Sequence, residues 1–352
     1  MLSQISQSHC ADKMLKVFLY SLPVLILSLY LSVRYTTHRP QLGHPPPPLH
    51  YSVSQDQLQA LHHDGAVHLP GVLNAEWVEY LSMVVEDRVS HPWLGSLPAK
   101  LLGVYQYHQF DNWMVSPGFL DYLTLGPSSS IARAVFPAWT TIRVLKESLF
   151  YKPKAEYPAL LAPLHVDCET GAKGCPDFPV FRMWVTLDPV EQGKGVVFHR
   201  GTHNNPAAKE EYKILHCPEE RNSSKYFSFA MQPGDGLVWF GDTVHFAYGG
   251  DRRVLSMSLI EGSTSVYDEE RKPHLSWDWY NQGLGHGDLI QGPYFPQIYP
   301  ALNSSETVAR EQGEIGYFTG EWSKMWPFIK NVLYNFGGSK KTRCQFVREN
   351  EA

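Results

Sequence analysis

The chain has 352 residues, a formal net charge of -5 and 18% charged side chains. That balance offers no basic surface for nucleic acid. With 43% hydrophobic residues the sequence fits no low-complexity class, and five scattered cysteines are too few for a disulfide scaffold.

Taken in chain order, the first feature is "VFLYSLPVLILSLYLSV", residues 17–33, which carries no charge. It is flanked by Lys13 and Lys16 before and by Arg34 and Arg39 after. At about 1.5 Å per residue it spans about 25 Å, enough for a thin bilayer such as that of the early secretory route. The expectation is a retained transmembrane signal anchor. A cleaved signal peptide competes, but no small-x-small cleavage site follows the apolar run. "RPQLGHPPPPLH" then reads as a stiff spacer. Residues 1–45 are thus expected to be tail, anchor and spacer.

Ser54 can cap a short helix that ends at Gly65, and "AVHLPGVL" reads as strand and turn. Asn74 can cap a second helix with Trp77, Leu81, Val84 and Val85 on one face. From about residue 140 the texture changes to short strands between Gly and Pro turns, as in "TTIRVLKESLFYKP", "FRMWVTLDPV", "GVVFHRG" and "RRVLSMSLIEGS". This is the pattern of an all-β sandwich or barrel. Near the C-terminus "WSKMWPFIKNVLYNF" reads as an aromatic helix that docks on the core. The expected division is a catalytic domain over 46–300 and a packed extension over 301–352.

The pattern His-x-Asp occurs three times, at His62/Asp64, His165/Asp167 and His286/Asp288. Residues two apart share a face on a strand but not on a helix. His62 and Asp64 fall at a helix end, so they read as helix-end polar groups. His286 and Asp288 lie in a glycine-rich loop with no later histidine. His165 and Asp167 lie in a strand region, and histidines follow at 199, 203, 216 and 245. His245, in "DTVHFAYGG", sits in a strand and is the best third ligand, whereas His203 sits in a turn. Two imidazoles and one carboxylate with open positions suit non-haem Fe(II). Arg252 opens the next strand, with Val254, Ser256 and Ser258 alternating after it. An arginine there can fork onto a carboxylate, as a 2-oxo-acid cosubstrate would need.

With these residues in place, residues 52–262 resemble the phytanoyl-CoA dioxygenase family of Fe(II)- and 2-oxoglutarate-dependent oxygenases. "LHVD" is similar to the family's first two iron ligands, "WVTLDPVEQGKGVVFHRGTH" to its strand and glycine-bearing loop, and "QPGDGLVWFGDTVH" to the strand that brings in the second histidine. The resemblance implies a mainly β fold, a double-stranded β-helix (jelly roll, cupin-like) with flanking helices. It implies Fe(II) on His165, Asp167 and His245, with 2-oxoglutarate paired to Arg252. It further implies O2-dependent hydroxylation, with 2-oxoglutarate converted to succinate and CO2. The run "FAYGGD" between His245 and Arg252 is shorter than the family's, so Arg253 stays open for the same role. Trp184 matches an aromatic position near the cosubstrate pocket or is a core tryptophan, and Lys152 adds charge near the cosubstrate or is solvated.

Two readings from other classes stand beside this one. One is a membrane-tethered binding protein that keeps the fold without turnover; the other is a zinc hydrolase on the same three residues. Turnover dependent on 2-oxoglutarate separates the oxygenase from both. The substrate class is open among a lipid or sterol-like molecule and a lumenal protein or glycan, and the sequence does not fix an oligomeric state. Cys168 and Cys175 bracket a short loop and could pair, and Asn222 and Asn303 begin glycosylation sequons. A type II orientation is expected, with residues 1 to about 16 cytosolic and the domain in the ER or Golgi lumen. Glycosidase treatment of the expressed protein should then shift its mobility, and Asn222→Gln with Asn303→Gln should abolish the shift. An unshifted wild type with a protease-sensitive domain in intact microsomes would place the domain on the cytosolic face.

Overall fold

The computed structural model describes residues 43–91, 107–114, 116–152, 162–167, 175–176, 180–205, 224–247, 252–267, 287–292 and 295–301. The apolar run 17–33, Cys168, both sequons, His286 and the C-terminal aromatic segment lie outside the described residues. Among the described residues no helix is long and apolar enough to cross a membrane.

The N-terminal helices form where the caps predict. Helix α1 (Gln55–Asp64) starts at Ser54, whose side chain accepts from Gln57 N while Gln57 reaches back to the Ser54 backbone. It ends at Gly65 in the left-handed region, φ 88°. Strand β1 (Ala66–Leu69) follows. Helix α2 (Ala75–Ser90) is capped by Asn74 and buries Trp77, Tyr80, Leu81, Val84 and Val85. Strand β2 (Tyr107–Phe110) and helices α3 (Pro117–Leu125) and α4 (Ser128–Val135) complete this part.

The remainder is β-structure. In chain order come β3 (Ile142–Lys152), β4 (Ala162–His165), β5 (Cys175–Pro176), β6 (Phe181–Thr186), β7 (Val196–His199), β8 (Tyr226–Ser228), β9 (Gly236–Phe240), β10 (His245–Ala247), β11 (Arg252–Glu261), β12 (Val266–Tyr267) and β13 (Gln297–Tyr299). A seven-stranded sheet runs β1-β9-β6-β11-β3-β13, with β2 paired to β3. A four-stranded sheet runs β4-β10-β7-β8, and β5 pairs β12. Every paired ladder is antiparallel. This is the mainly β architecture expected from the sequence, with most strands divided between two facing sheets.

Alternation along the strands divides the large sheet into two faces. Phe181, Met183, Val185, Val238, Leu255, Met257 and Leu259 join the core formed with Trp77, Leu81, Phe119 and Tyr122 of the helices. Trp184, Leu237, Trp239 and Val254 point the other way and pack with Val196 and Phe198 of the small sheet. The helices therefore cover one face of the large sheet, and the small sheet closes over the other.

Gly65 ties the helical layer to the turn before β10. Its carbonyl accepts from Phe240 N at 3.2 Å and from Thr243 Oγ1 at 2.8 Å. A Cβ there would lie 2.6 Å from His203 Nδ1 and 2.8 Å from Thr243 Oγ1, at a φ that L-residues avoid. Gly65→Ala is expected to destabilise the protein by about 1–3 kcal/mol, read as a lower midpoint in thermal unfolding. An unchanged midpoint would mean that the turn yields without cost.

Candidate metal centre

The site forms where the small sheet brings two strand ends together. His165 is the last residue of β4 and His245 the first of β10, and the two are direct cross-strand partners. Their ring centroids lie 4.3 Å apart. The strand does not continue to Asp167 as the sequence suggested. It stops at His165, and Asp167 sits in a bend held by its own N–H to Gly241 O at 3.0 Å. The bend still turns the carboxylate toward the imidazoles. His165 Nε2 is 3.9 Å from Asp167 Oδ1, and His245 Nε2 is 3.4 Å from Oδ2. One ligand atom from each of His165, Asp167 and His245 lies within 4.8 Å of the others, so the three could hold a metal ion.

The surroundings prepare these groups as ligands. His245 Nδ1 contacts Thr243 O at 2.8 Å. As the donor in that bond, Nδ1 carries the proton, which leaves the Nε2 lone pair directed at the carboxylate. Burial lowers the His245 pKa to about 4 against the opposing pull of Asp167, so the ring is neutral near pH 7. Burial alone would raise the Asp167 pKa, but Arg182, His245 and His165 outweigh it and hold the group well below the usual carboxylate range. A neutral imidazole and an ionised carboxylate are the forms a divalent metal requires.

The other site residues sit on the large sheet. Arg252 opens β11, is 3% exposed, and places its guanidinium 5.8 Å from the centre of the Trp184 ring. Burial lowers its pKa to about 10, which leaves it cationic at neutral pH. Trp184 belongs to the apolar core between the sheets and also underlies Arg252. Lys152 closes β3 directly opposite Arg252 in the ladder. Arg253 points to the opposite face. It forks onto Asp188, Nε to Oδ2 at 3.0 Å and Nη2 to Oδ1 at 2.7 Å, and donates from Nη1 to Glu86 at 3.1 Å. His203 lies in a 3-10 turn with Nε2 3.1 Å from His62 O, away from the three ligands.

Sequence reasoning missed Arg182 and Trp239, both in contact with Asp167. Trp239 Nε1 donates to Asp167 Oδ2 at 2.9 Å, and Arg182 Nε lies 3.0 Å from the same oxygen. The available signal was an arginine two residues before Trp184 in an otherwise apolar strand, "FRMWVT".

Comparison with known proteins adds the fold-level context. No family model and no curated protein matches the sequence. Among solved structures, the non-haem α-ketoglutarate-dependent carbocyclase SnoK of nogalamycin biosynthesis superposes with a TM-score of 0.51 at 18% identity, over 72% of this chain and 99% of its own. The α-ketoglutarate-dependent epimerase SnoN of the same biosynthesis gives 0.51 at 21% identity, over 69% and 98%. The chain has the fold of these enzymes.

Asp167→Ala and His245→Ala are each expected to abolish Mn(II) binding by the metal-free protein, measured by titration calorimetry. His203→Ala should leave binding intact. Loss in the His203 variant with retention in the His245 variant would reassign the third ligand.

Proposed function

We propose that this chain is an Fe(II)- and 2-oxoglutarate-dependent dioxygenase, of the kind represented by the phytanoyl-CoA dioxygenase family. It hydroxylates a C–H bond of an organic substrate, taking one oxygen atom of O2 into the product and the other into succinate as CO2 leaves. The observation that carries this reading is a two-histidine, one-carboxylate cluster at the end of the small sheet, together with a buried arginine on the inner face of the large sheet. Bound Fe(II) supplies the activation of O2, with 2-oxoglutarate as the reductant.

The residues of the chain supply position and charge. His165, Asp167 and His245 would hold the metal. Arg252 pairs with the distal carboxylate of the cosubstrate, and the Trp184 ring backs the guanidinium. Arg253 emerges toward Asp188 and Glu86, whereas Arg252 emerges on the inner face of the large sheet over Trp184, which favours Arg252 for this task. Trp184, Phe198 and Trp239 form a packed aromatic wall between the sheets, which would help exclude water from a bound metal. The run at 17–33 would tether the domain to a membrane, and this proximity suggests a lipid-like substrate.

The test is release of succinate and CO2 from 2-oxoglutarate by the iron-loaded full chain, together with anaerobic binding of 2-oxoglutarate. Arg252→Ala should raise the KM for 2-oxoglutarate by a factor corresponding to about 2–5 kcal/mol, because it removes a buried charge partner. Arg253→Ala should lower thermal stability and leave that KM near the wild-type value. A large rise only in the Arg253 variant would move the cosubstrate site, and absence of 2-oxoglutarate binding in the wild type would overturn the oxygenase.

A further inference from the structure

The turn between β9 and β10 serves two of the three candidate ligands. It runs through Gly241, Asp242, Thr243 and Val244. The Gly241 carbonyl accepts from Asp167 N at 3.0 Å, and the Thr243 carbonyl engages His245 Nδ1 at 2.8 Å. A carbonyl can only accept, so the ring bond requires the proton on Nδ1 and leaves Nε2 for a metal. The backbone of Asp167 and the orientation of the His245 ring therefore depend on one short piece of chain.

That piece is pinned from outside. Thr243 N donates to Phe240 O at 2.8 Å and closes the turn, and Gly241 N donates to Val180 O at 2.7 Å. The Gly65 carbonyl accepts from both ends of the turn, from Phe240 N at 3.2 Å and from Thr243 Oγ1 at 2.8 Å. The next residue is braced in a similar way. Val244 N donates to Thr202 Oγ1 at 2.8 Å, and that hydroxyl donates to His199 O at 3.0 Å. Thr243 is fully buried, so water does not replace its hydroxyl bond if the bond is lost. Its hydroxyl makes the shorter of the two bonds to Gly65 O, and it is the one that a side-chain substitution removes.

We propose that Thr243 is a positioning residue for the metal centre: its hydroxyl, anchored on the Gly65 carbonyl at the end of α1, holds the turn whose carbonyls fix the His245 ring and the Asp167 backbone. The proposal rests on the metal site of the oxygenase reading and not on its cosubstrate or substrate. Thr243 is not itself a ligand, and it acts through the backbone that two ligands lean on. The gain is preorganisation. A ring already held with Nε2 toward the carboxylate loses little freedom when a metal arrives. Without the hydroxyl, Gly65 O keeps the longer bond from Phe240 N, and the end of the turn that bears the Thr243 carbonyl loosens. The imidazole of the metal-free protein then samples other orientations, which metal binding must correct.

The test measures Mn(II) binding to the metal-free full chain by titration calorimetry. In the Co(II)-loaded chain, proton NMR follows the exchange of the His245 Nδ1 proton with solvent. Thr243→Val keeps the side-chain shape and removes the hydroxyl. It should weaken Mn(II) binding by about two- to tenfold, the scale of one neutral hydrogen bond, and speed exchange of the Nδ1 proton. Thr243→Ser should restore both. Thr243→Ala removes the hydroxyl without setting a methyl against Gly65 O, and it should act in the same direction even where Thr243→Val does not fold. Thr186→Val removes a comparable bond on the large sheet, from Thr186 Oγ1 to Asp188 O at 2.6 Å, and should leave Mn(II) affinity unchanged. Wild-type affinity and exchange in both Thr243→Val and Thr243→Ala would overturn the role, as would an equal loss of affinity in Thr186→Val. Binding of 2-oxoglutarate to the wild type is measured alongside. A wild type that binds Mn(II) but not 2-oxoglutarate, with the Thr243 variants weakened, would support the role and overturn the oxygenase reading. A wild type that binds no metal would overturn both.

Discussion

The partly buried carboxylate of Asp167 is the constraint around which this structure is arranged. An ionised carboxylate removed from water costs several kcal/mol unless charge and hydrogen bonds replace the lost hydration. The large sheet supplies that replacement, and the small sheet sets two imidazoles beside the carboxylate. The small sheet brings two imidazoles from His165 and His245, and the large sheet brings Arg182 and the Trp239 N–H. The bend at Asp167 is pinned through its own N–H to Gly241, just beyond β9, so the same segment that presents Trp239 also fixes the carboxylate's backbone. The two sheets cannot separate or slide at this end without stranding the charge.

Strand alternation lets adjacent residues do unlike work around this centre. Arg252 and Arg253 are neighbours, yet one is buried over Trp184 and the other bridges Asp188 and Glu86 toward the helical layer. Met183 and Met257 pack against helices, while Arg182, Trp184, Ser256 and Ser258 on the same two strands face inward. The helical layer also acts on the site. Gly65 at the end of α1 holds Thr243 through its hydroxyl, and the Thr243 carbonyl in turn engages Nδ1 of His245. A helix cap and a ligand tautomer are therefore joined through one threonine.

Much of this was legible in the sequence because the signals were local. The capping residues Ser54 and Asn74, the left-handed Gly65 and the alternation in "RRVLSMSLIE" all act within a few residues. The choice of His245 over His203 followed from strand against turn, and the structure puts His203 in a turn bonded to His62 O. Other features had no local signal. Helix α4 follows Pro127 with no side-chain cap, so it did not announce itself. Strand β13 pairs with β3 from more than a hundred residues away. The contact of Arg182 with Asp167 depends on how β6 aligns with β9 and β11, which is a property of the assembled sheet and not of "FRMWVT".

The short connection between His245 and Arg252 illustrates how local length and long-range register combine. Strand β10 ends at Ala247 on the small sheet, and β11 begins at Arg252 on the large sheet. Residues 248–251 separate the two strands in the sequence. The resemblance in sequence left Arg252 and Arg253 open because the run is short. What separates them is parity: with Ser256 opposite Trp184 and Ser258 opposite Arg182, even-numbered positions of β11 share the inner face. Counting back by twos from Ser258 reaches Arg252 and passes over Arg253. The short run therefore changes the distance along the chain between His245 and the arginine but not the face on which the arginine emerges, because the ladder with β6 fixes that face.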